Sequence, residues 1–417
     1  PIPHSPFPPM NRRKLLQNAA IIAAAGLIPI GINGWAVRGI AQTNNRKRLI
    51  VIFLRGAVDG LNVVVPYQES NYYEARPRIA IPKPGEKDGV LDLDGRFGLH
   101  PALADIMPLW EKGSLAFIHA CGSPDSTRSH FDAQDYMESG TPGVKTTQDG
   151  WLNRLLGILP KDSPVQAVNV GATIPRILTG KMSVANLPSG NNTNNALAID
   201  RPEINRAFAQ LYNGNDPISL TYQEGDKVRE ILLNELNSEM MQASRGAPSP
   251  VGFANDTRKL AKLMVGDGKT QLAFMALGGW DTHVNQGSSN GQLASRLKPL
   301  AEGLVTLVKE LGPVYSDTVI VVLSEFGRTV AENGNGGTDH GHGNVMWVLG
   351  GGIRGGKIYG EWPGLNESEL YEKRDLEIIT DYRNAIASIL TQHIELNVAQ
   401  LSQIFPNYST NPTMALF

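Results

Sequence analysis

Four histidines of this chain lie in short segments that also carry carboxylate or hydroxyl groups. Asp281 and His283 are two residues apart, as are His340 and His342, and His130 follows a run of hydroxyl residues. In an extended segment, a spacing of two puts both side chains on one side. Neutral imidazole and carboxylate oxygen together suit zinc, manganese or iron. The sequence therefore predicts a divalent metal site built from these segments.

Several of the polar segments also fit simpler interpretations. Asp59 before Gly60 is typical of a turn, and Glu325 with Arg328 is typical of a solvated pair at a helix start. The glycine-rich stretch 339–343 fits a flexible surface loop. Taken one at a time, these interpretations are as good as a metal site. Taken together, clustered histidines and acids at one place favour the metal site.

The elements that must position these residues follow from apolar patterning. Continuous apolar runs with β-branched members predict buried strands, a pattern typical of a parallel sheet; they cover residues 49–54, 115–120, 165–170, 272–277, 318–323 and 345–349. Helical patterns cover 101–110 and 292–311. This alternation indicates an α/β fold with a parallel sheet. Ligands of such sheets bind beyond the carboxyl ends of the strands, where the candidate residues follow.

The first 41 residues read as an export signal. Asn-Arg-Arg-Lys-Leu-Leu at 11–16, followed by an uncharged run at 15–37, predicts a twin-arginine signal peptide and a periplasmic or secreted protein. An uncleaved membrane anchor is the alternative. Without the four basic residues of this leader, the remaining 376 residues carry 34 basic and 40 acidic side chains, a net charge of −6. With the leader removed, no stable membrane span is expected.

Residues 42–417 are predicted to form the functional domain, with an insertion or cap at 180–265 that is mostly helical. Helical patterns in this part cover 202–212 and 223–243, and 245–252 resembles a connector because it holds two prolines and two glycines. No residues suited to chemistry stand out there.

Composition excludes several classes of protein. A single cysteine excludes disulfides within the chain and any zinc or iron–sulfur site with several cysteines. The formal net charge of −2 argues against a nucleic-acid partner, because proteins that bind nucleic acids usually carry an excess of basic residues. Glycine supplies 44 of 417 residues, so the fold is expected to need many tight turns and close backbone approaches.

Several motifs together resemble a known family. They are the segments 52–62, 128–134, 279–283, 324–329 and 339–343. In combination they resemble domain of unknown function 1501, a bacterial family exported by the twin-arginine route, and the likeness covers nearly all of 48–405. That family is similar to a branch of the alkaline phosphatase/sulfatase superfamily. The resemblance implies a three-layer fold, a mainly parallel sheet between helices, one or two metal ions at the strand ends, and an anionic ester as substrate.

The resemblance also implies roles for individual residues. Asp59 matches the first metal-binding aspartate, Asp281 and His283 match an aspartate–histidine metal pair, and Glu325 stands where a metal-binding aspartate is usual. His340 or His342 matches the last metal-binding histidine. The implied metal is Zn, Mn, Ca or Fe.

The catalytic group implied by the resemblance lies around the start of a helix. Ser129 matches the position of the nucleophile, and Ser126 and Thr127 compete with it. Arg128 and His130 complete the group, with Arg128 binding the anionic substrate. Arg55 and Arg328 are further candidates for that anion-binding role.

Some residues depart from the superfamily pattern. Cys121-Gly122-Ser123-Pro124 does not match the Cys-x-Pro-x-Arg signature, which argues against a formylglycine sulfatase. Phe326 follows Glu325 where a histidine is usual, which argues against two fully bound metals. The same departure favours the alternative function, a non-catalytic binding or assembly protein on a phosphatase-like scaffold.

Overall fold

The computed structural model describes residues 46–160, 166–189, 240–266, 269–409, 411 and 414–417. The chain divides into the units Pro1–Asn44 and Asn45–Phe417, and all described residues belong to the second. The predicted signal peptide at 1–41 lies outside the described residues. So does most of the predicted insertion, including the helical pattern at 202–212 and nearly all of that at 223–243.

The six longest strands are buried almost completely, because their apolar residues alternate between two covered faces. Their bounds are β1 Arg48–Leu54, β2 Val64–Val65, β3 Leu91–Asp92, β4 Gly98–Leu99, β5 Leu115–Gly122, β6 Ala167–Val170, β7 Ala185–Leu187, β8 Leu272–Leu277, β9 Thr318–Leu323, β10 Asn344–Gly350, β11 Lys357–Tyr359 and β12 Thr380–Asp381. All six strands predicted from apolar runs are present.

Nine of these strands form one sheet in the order β11-β5-β10-β9-β1-β8-β6-β7, and β12 pairs with β5. β1 is parallel to β8 and to β9. β10 is antiparallel to both of its neighbours, β5 and β9, whereas the other described pairs in this sheet are parallel. The predicted mainly parallel α/β sheet is confirmed. A separate small sheet has the order β2-β4-β3.

Helices cover both faces of the large sheet. The α-helices are Gly60–Val63, Ser70–Ala75, Met107–Glu111, His130–Ser139, Trp151–Ile158, Phe253–Gly266, Gln292–Leu311, Tyr382–Gln392 and Val398–Ile404, and 3₁₀ turns cover Pro101–Ile106, Arg176–Leu178, Gly312–Asp317 and Glu367–Glu369. On one face, Ile50 and Ile52 of β1 share a core with the helices Phe253–Gly266 and Gln292–Leu311. On the other face, Val51 shares a core with the helices Trp151–Ile158 and Tyr382–Gln392.

One predicted helix is divided in two. The pattern at 101–110 is a 3₁₀ turn, Pro101–Ile106, followed by the α-helix Met107–Glu111. Pro108 has no N–H to donate to the carbonyl of Ala104, which accepts a hydrogen bond from Met107 instead. This shorter bond is the one that defines a 3₁₀ turn.

The described ends of the predicted insertion belong to the α/β layers. β7 pairs with β6 and extends the large sheet. Phe253 and Leu260, on the helix Phe253–Gly266, are buried in the core that this helix shares with Gln292–Leu311. In the described part of the chain, no helix combines the length and the apolar character that a membrane span requires.

Candidate metal centre

The candidate residues follow strands that end at one edge of the sheet. β1 and β8 end in register, with Leu54 beside Leu277, and β9 ends beside β1. The antiparallel β10 starts at this edge, where Asn344 pairs with Cys121 at the end of β5. The segments after β1, β5, β8 and β9 and the segment before β10 are therefore neighbours.

Glycine lets two of these segments approach closely. Gly56 has a φ of 114°, and a Cβ there would lie 2.7 Å from the backbone nitrogen of Asp281. A Cβ on Gly327 would lie 1.8 Å from the carbonyl oxygen of Gly343. Gly327 donates to the carbonyl of His342 at 2.8 Å, and its own carbonyl accepts from Gly341 at 2.8 Å. Any side chain at these two positions would push the segments apart.

Three histidines and an aspartate converge where these segments meet. One ligand atom each from His130, Asp281 and His340 lie within 4.8 Å of one another. Nε2 of His340 is 2.9 Å from Nε2 of His130 and 3.0 Å from Nε2 of His283. Nε2 of His283 is also 3.0 Å from Oδ1 of Asp281. The metal centre below means these four residues.

The other ring nitrogen of each histidine is already bound to an acceptor. Nδ1 of His130 donates to Glu325 at 2.8 Å, Nδ1 of His340 to the carbonyl of Arg128 at 2.9 Å, and Nδ1 of His283 to Asp339 at 3.2 Å. These acceptors have no proton to give, which assigns the proton of each neutral ring to Nδ1. Nε2 of each neutral ring then carries the lone pair that can bind a metal ion.

Asp281 supplies an oxygen that needs a positive partner. The side chain is buried; Oδ1 accepts from Arg328, while Oδ2 accepts no hydrogen bond in the described part of the chain. Burial raises the pKa of Asp281, but the charge of Arg328 and the three neighbouring histidines outweigh it and hold this pKa well below its ordinary value. A buried carboxylate oxygen without a partner is unfavourable, so a cation fits here.

The donor set decides which cation fits. Three imidazole nitrogens and one carboxylate oxygen match zinc, iron or manganese, whereas calcium prefers oxygen ligands alone. Burial lowers the pKa of His130, but the neighbouring carboxylates of Asp281 and Glu325 raise it to about 9. A cation bound by His130 would take the place of that proton.

Glu325 lies behind His130. Its Oε1 accepts from His130, from the backbone of Gly56 at 2.8 Å and from Gln134 at 2.9 Å. Its Oε2 accepts from Ser324 at 2.9 Å. Burial raises the pKa of Glu325, but the hydrogen bond and charge of His130, with Gln134, bring it down to about 2. Glu325, which the sequence predicted as a ligand, orients a histidine of the metal centre in this geometry.

Asp59 is not brought to the metal centre. Its two oxygens accept from Arg76 at 2.7 and 3.0 Å, and Oδ2 also accepts from Gln286 at 2.6 Å. The carboxylate and the guanidinium are both fully buried. Because Arg76 neutralises Asp59, this carboxylate has no oxygen left over for a metal ion.

His340 and His342 are separated, although their spacing predicted side chains on one side. His342 stacks on Tyr371 with ring centroids 4.1 Å apart. The backbone between the two histidines folds around Gly327 and is not extended, so the alternation of a strand does not apply. The predicted pair Asp281 and His283 is brought together.

The predicted catalytic residues surround the start of the helix His130–Ser139. Ser129 is exposed and caps this helix. Thr127 Oγ1 accepts from the backbone of Ser129 at 3.2 Å, and Ser126 is exposed. Arg128 binds Asp375 and Glu372, each at 2.7 Å. His130, predicted as catalytic, lies in the metal centre.

The other two arginines predicted to bind an anion are paired with acids. Arg328 contacts Asp281, and Arg55 contacts Glu138 at 2.5 Å. Gln134 and Glu138 were missed by the sequence analysis. A signal was present, because with His130 they stand at i, i+4 and i+8 and therefore share one helix face.

The sequence matches the family model described as a protein of unknown function, DUF1501, over residues 46–405. The chain belongs to this family. No curated protein matches the sequence.

Solved structures similar to this DUF1501 protein include sulfatases and proteins of the alkaline phosphatase superfamily. Ps i-CgsB, in complex with k-i-k-neocarrahexaose, is 10% identical with a TM-score of 0.44, covering 88% of this chain and 77% of its own. A Vibrio parahaemolyticus protein in the alkaline phosphatase superfamily is 12% identical with a TM-score of 0.38 and coverages of 84% and 71%. The PsFucS1 sulfatase from Pseudoalteromonas sp. is 13% identical with a TM-score of 0.36 and coverages of 93% and 73%. These identities are too low to carry over the activity of these proteins. The chemistry of the metal centre is therefore argued from the residues of this chain alone.

Proposed function

We propose that this protein is a hydrolase of phosphate or sulfate esters that depends on one divalent metal ion. The observation that carries the proposal is the convergence of three Nε2 atoms on a buried carboxylate with an unpartnered oxygen. The His283 and His340 side chains are 17% and 16% exposed, against 6% for His130 and 1% for Asp281. The centre is therefore open on one side, as a catalytic site requires.

A metal ion bound there would stabilise charge on the transferring phosphoryl or sulfuryl oxygens and lower the pKa of a hydroxyl group. Arg128 is the residue we propose to bind the anionic ester. Its side chain is 29% exposed, and one of its acidic partners, Glu372, is 55% exposed, so a substrate oxyanion can replace Glu372 as acceptor.

Ser129 is the nucleophile in this proposal, with Ser126 and Thr127 as competing hydroxyls. Its Oγ forms the bond to phosphorus or sulfur as the bond to the ester oxygen breaks, and its proton passes to the leaving oxygen through solvent. Water then hydrolyses the serine ester and releases phosphate or sulfate. The support for this role is that Ser129 is exposed and directly precedes His130 of the metal centre.

Export belongs to the same proposal. The Arg12-Arg13 pair and the uncharged run after it support twin-arginine export and removal of residues 1–41, which would deliver residues 42–417 to the periplasm or the medium. The segment around 180–265 would then contribute to substrate selection as an insertion or cap. Replacing both arginines by lysine should retain the protein in the cytoplasmic fraction if this route is used.

Metal content is the first test. Protein purified without chelators should contain about one zinc, manganese or iron per chain by elemental analysis, and Asp281→Asn and His340→Gln should lose it. His342→Gln is the matched control, since it removes a neighbouring histidine outside the metal centre and should keep the metal. Equal metal in all variants, or none in the wild type, would contradict the proposal.

Activity is the second test. The metal-loaded protein should hydrolyse at least one member of a panel of aryl phosphates, phosphodiesters and aryl sulfates, and Ser129→Ala should lose that activity while keeping the metal. Retained activity in Ser129→Ala would move the nucleophile to Ser126 or Thr127.

A non-catalytic metal protein is the second candidate, and one observation favours it. Three nitrogens and one carboxylate oxygen are the full ligand number of a closed structural zinc site. Stoichiometric metal together with a silent ester panel, and a large drop in melting temperature on chelation, would select this candidate.

A further inference from the structure

A polar cavity, separate from the metal centre, lies beyond the carboxyl ends of β6 and β8. It has a volume of about 470 Å³, and its lining includes Arg55, Glu138, Asn169, Arg176 and Arg245. None of the four residues of the metal centre lines it. The cavity is therefore a separate feature of the same sheet edge, where ligands of α/β folds bind.

The lining carries more positive than negative charge. Three arginines line the cavity, and the carboxylate among its lining residues, Glu138, is neutralised by Arg55. Glu138 also accepts from the backbone of Ile177 at 3.0 Å. Arg176 and Arg245 share Asp135, at 3.1 and 2.7 Å. Two carboxylates thus balance three arginines, and one positive charge is left over.

In the part of the chain that the structure describes, two of the arginines have an N–H donor without an acceptor. The Nε atoms of Arg55 and Arg176 are buried and have no hydrogen-bond partner in the described part of the chain. The Arg55 side chain is only 6% exposed. A buried charged donor without an acceptor is unfavourable, so each such group calls for a partner. Oxyanions provide acceptors of the right charge, because guanidinium groups bind carboxylate, sulfate and phosphate well.

We propose that this cavity binds an oxyanion, whose oxygens accept hydrogen bonds from the guanidinium groups of the three arginines that line it, Arg55, Arg176 and Arg245. The ligand chemistry is that of a sulfate, phosphate or carboxylate group. A bound oxyanion neutralises the positive charge that the two carboxylates leave over.

The cavity is connected to the metal centre through hydrogen bonds. Arg55 donates to Gln134 at 3.1 Å, and Gln134 donates to Glu325 at 2.9 Å, which in turn holds His130. Phe131, next to His130, is 50% exposed and lies under the guanidinium of Arg245 at 5.9 Å. The oxyanion therefore has two possible sources: a second acidic group on the ester substrate, which rests on the proposed function, or a free anion.

Binding of inorganic sulfate to metal-free protein tests the proposal without any activity. Calorimetric titration at constant ionic strength should give one saturable site in the wild type. Arg176→Gln and Arg245→Gln should each weaken it about tenfold or more, because each removes a charged hydrogen bond. Arg258→Gln is the matched control, since Arg258 is a partly exposed arginine paired with Glu310 on another helix, and it should leave the affinity unchanged.

Arg176→Lys separates charge from geometry. Lysine keeps the positive charge but lacks the planar guanidinium donors, so sulfate affinity should fall in this variant too. Because Arg176→Lys keeps the charge, it also tests the proposal if Arg176→Gln fails to fold. No saturable sulfate binding by the wild type, or equal affinity in the wild type and all arginine variants, would overturn the proposal.

The source of the oxyanion is found by comparing two aryl esters, one with a second acidic group and one without. If the substrate supplies it, Arg245→Gln raises KM for the diacid ester only. If a free anion supplies it, KM rises for neither, and sulfate affinity still falls. Should no ester be hydrolysed while sulfate binding is lost in the arginine variants, the proposed function fails and the oxyanion site stands.

Discussion

Asp59 and Asp281 are two buried aspartates that follow neighbouring parallel strands at the same edge of the sheet. A buried arginine contacts each of them, but their remaining partners differ. Both carboxylate oxygens of Asp59 accept hydrogen bonds from Arg76 or Gln286, so this side chain needs no metal ion as a partner. Among the described residues, one oxygen of Asp281 has no hydrogen-bond donor, and three imidazole nitrogens lie within 3.5 Å of this carboxylate. Burial alone therefore does not mark a metal ligand. What marks it is a carboxylate oxygen that the surrounding protein leaves unpaired.

The largest effect on stability is expected at the Asp59 centre. Arg76→Met would leave Asp59 charged and alone in the interior, which costs about 3–5 kcal/mol for a broken buried pair. Urea unfolding should show this loss, while the folded fraction keeps its metal. Arg258→Met is the matched control, because Arg258 and Glu310 are 42% and 32% exposed in their pair, and its loss should cost about 1 kcal/mol or less.

A double variant sharpens this result. Asp59→Asn combined with Arg76→Met removes both charges and should recover part of the lost stability. If Arg76→Met costs no more stability than Arg258→Met, or if Arg76→Met loses the metal, the Asp59 and Asp281 sites are not as different as their contacts indicate.

Acid should lower the free energy of unfolding, because two buried histidines, His100 and His119, are neutral in the folded protein. Burial lowers the pKa of His100 and of His119 to about 4, against about 6.5 in an unfolded chain. The unfolded state then binds more protons between these values, so stability that is present above pH 6.5 is lost as the pH falls towards 4. Each histidine should cost about 2 kcal/mol by pH 4.5.

His119→Gln isolates one of these contributions. Nε2 of His119 donates to the carbonyl of Val64 at 2.9 Å, a bond that glutamine can replace without titrating. Unfolding free energies measured from pH 7 to 4.5 should decline less steeply in this variant than in the wild type. Parallel declines would show that His119 does not titrate between those values.

The smallest of these effects is expected behind the metal centre. Glu325→Gln removes the charge that orients His130 but none of the four proposed ligands. Metal affinity should fall about 10- to 100-fold, as measured by competition with a chelator. Glu372→Gln, which changes an exposed acid bound to Arg128, should leave the affinity within a factor of two or so of the wild type. Equal affinities in both variants would mean that Glu325 does not support a ligand.

Much of the architecture is predictable because its signals are local. The six long apolar runs become the main strands, and the leucine stripe of 292–311 becomes a buried helix face. The proline at 108 was equally visible, yet its division of a helix into two parts was not predicted.

The site was predictable only in part, because pairing depends on contacts between distant segments. Asp281, His283 and His340 could be named from their positions after or before strands. The sequence gives no sign that Arg76, rather than a metal ion, faces Asp59. Nor does spacing separate His340 from His342, because the glycine turns between and around them abolish strand alternation.

The backbone pairing of the segment after β9 with the segment before β10 has a consequence for the order of folding. Glu325, Arg328 and His340 lie on one hairpin-like stretch of about twenty residues, whose contacts are short in sequence and quick to form. His130 lies 195 residues before Glu325, and Asp281 lies 44 residues before it. Because closing long loops costs entropy, these two residues should reach the metal centre later. Metal uptake during refolding should therefore mark the last docking step and coincide with the complete fold.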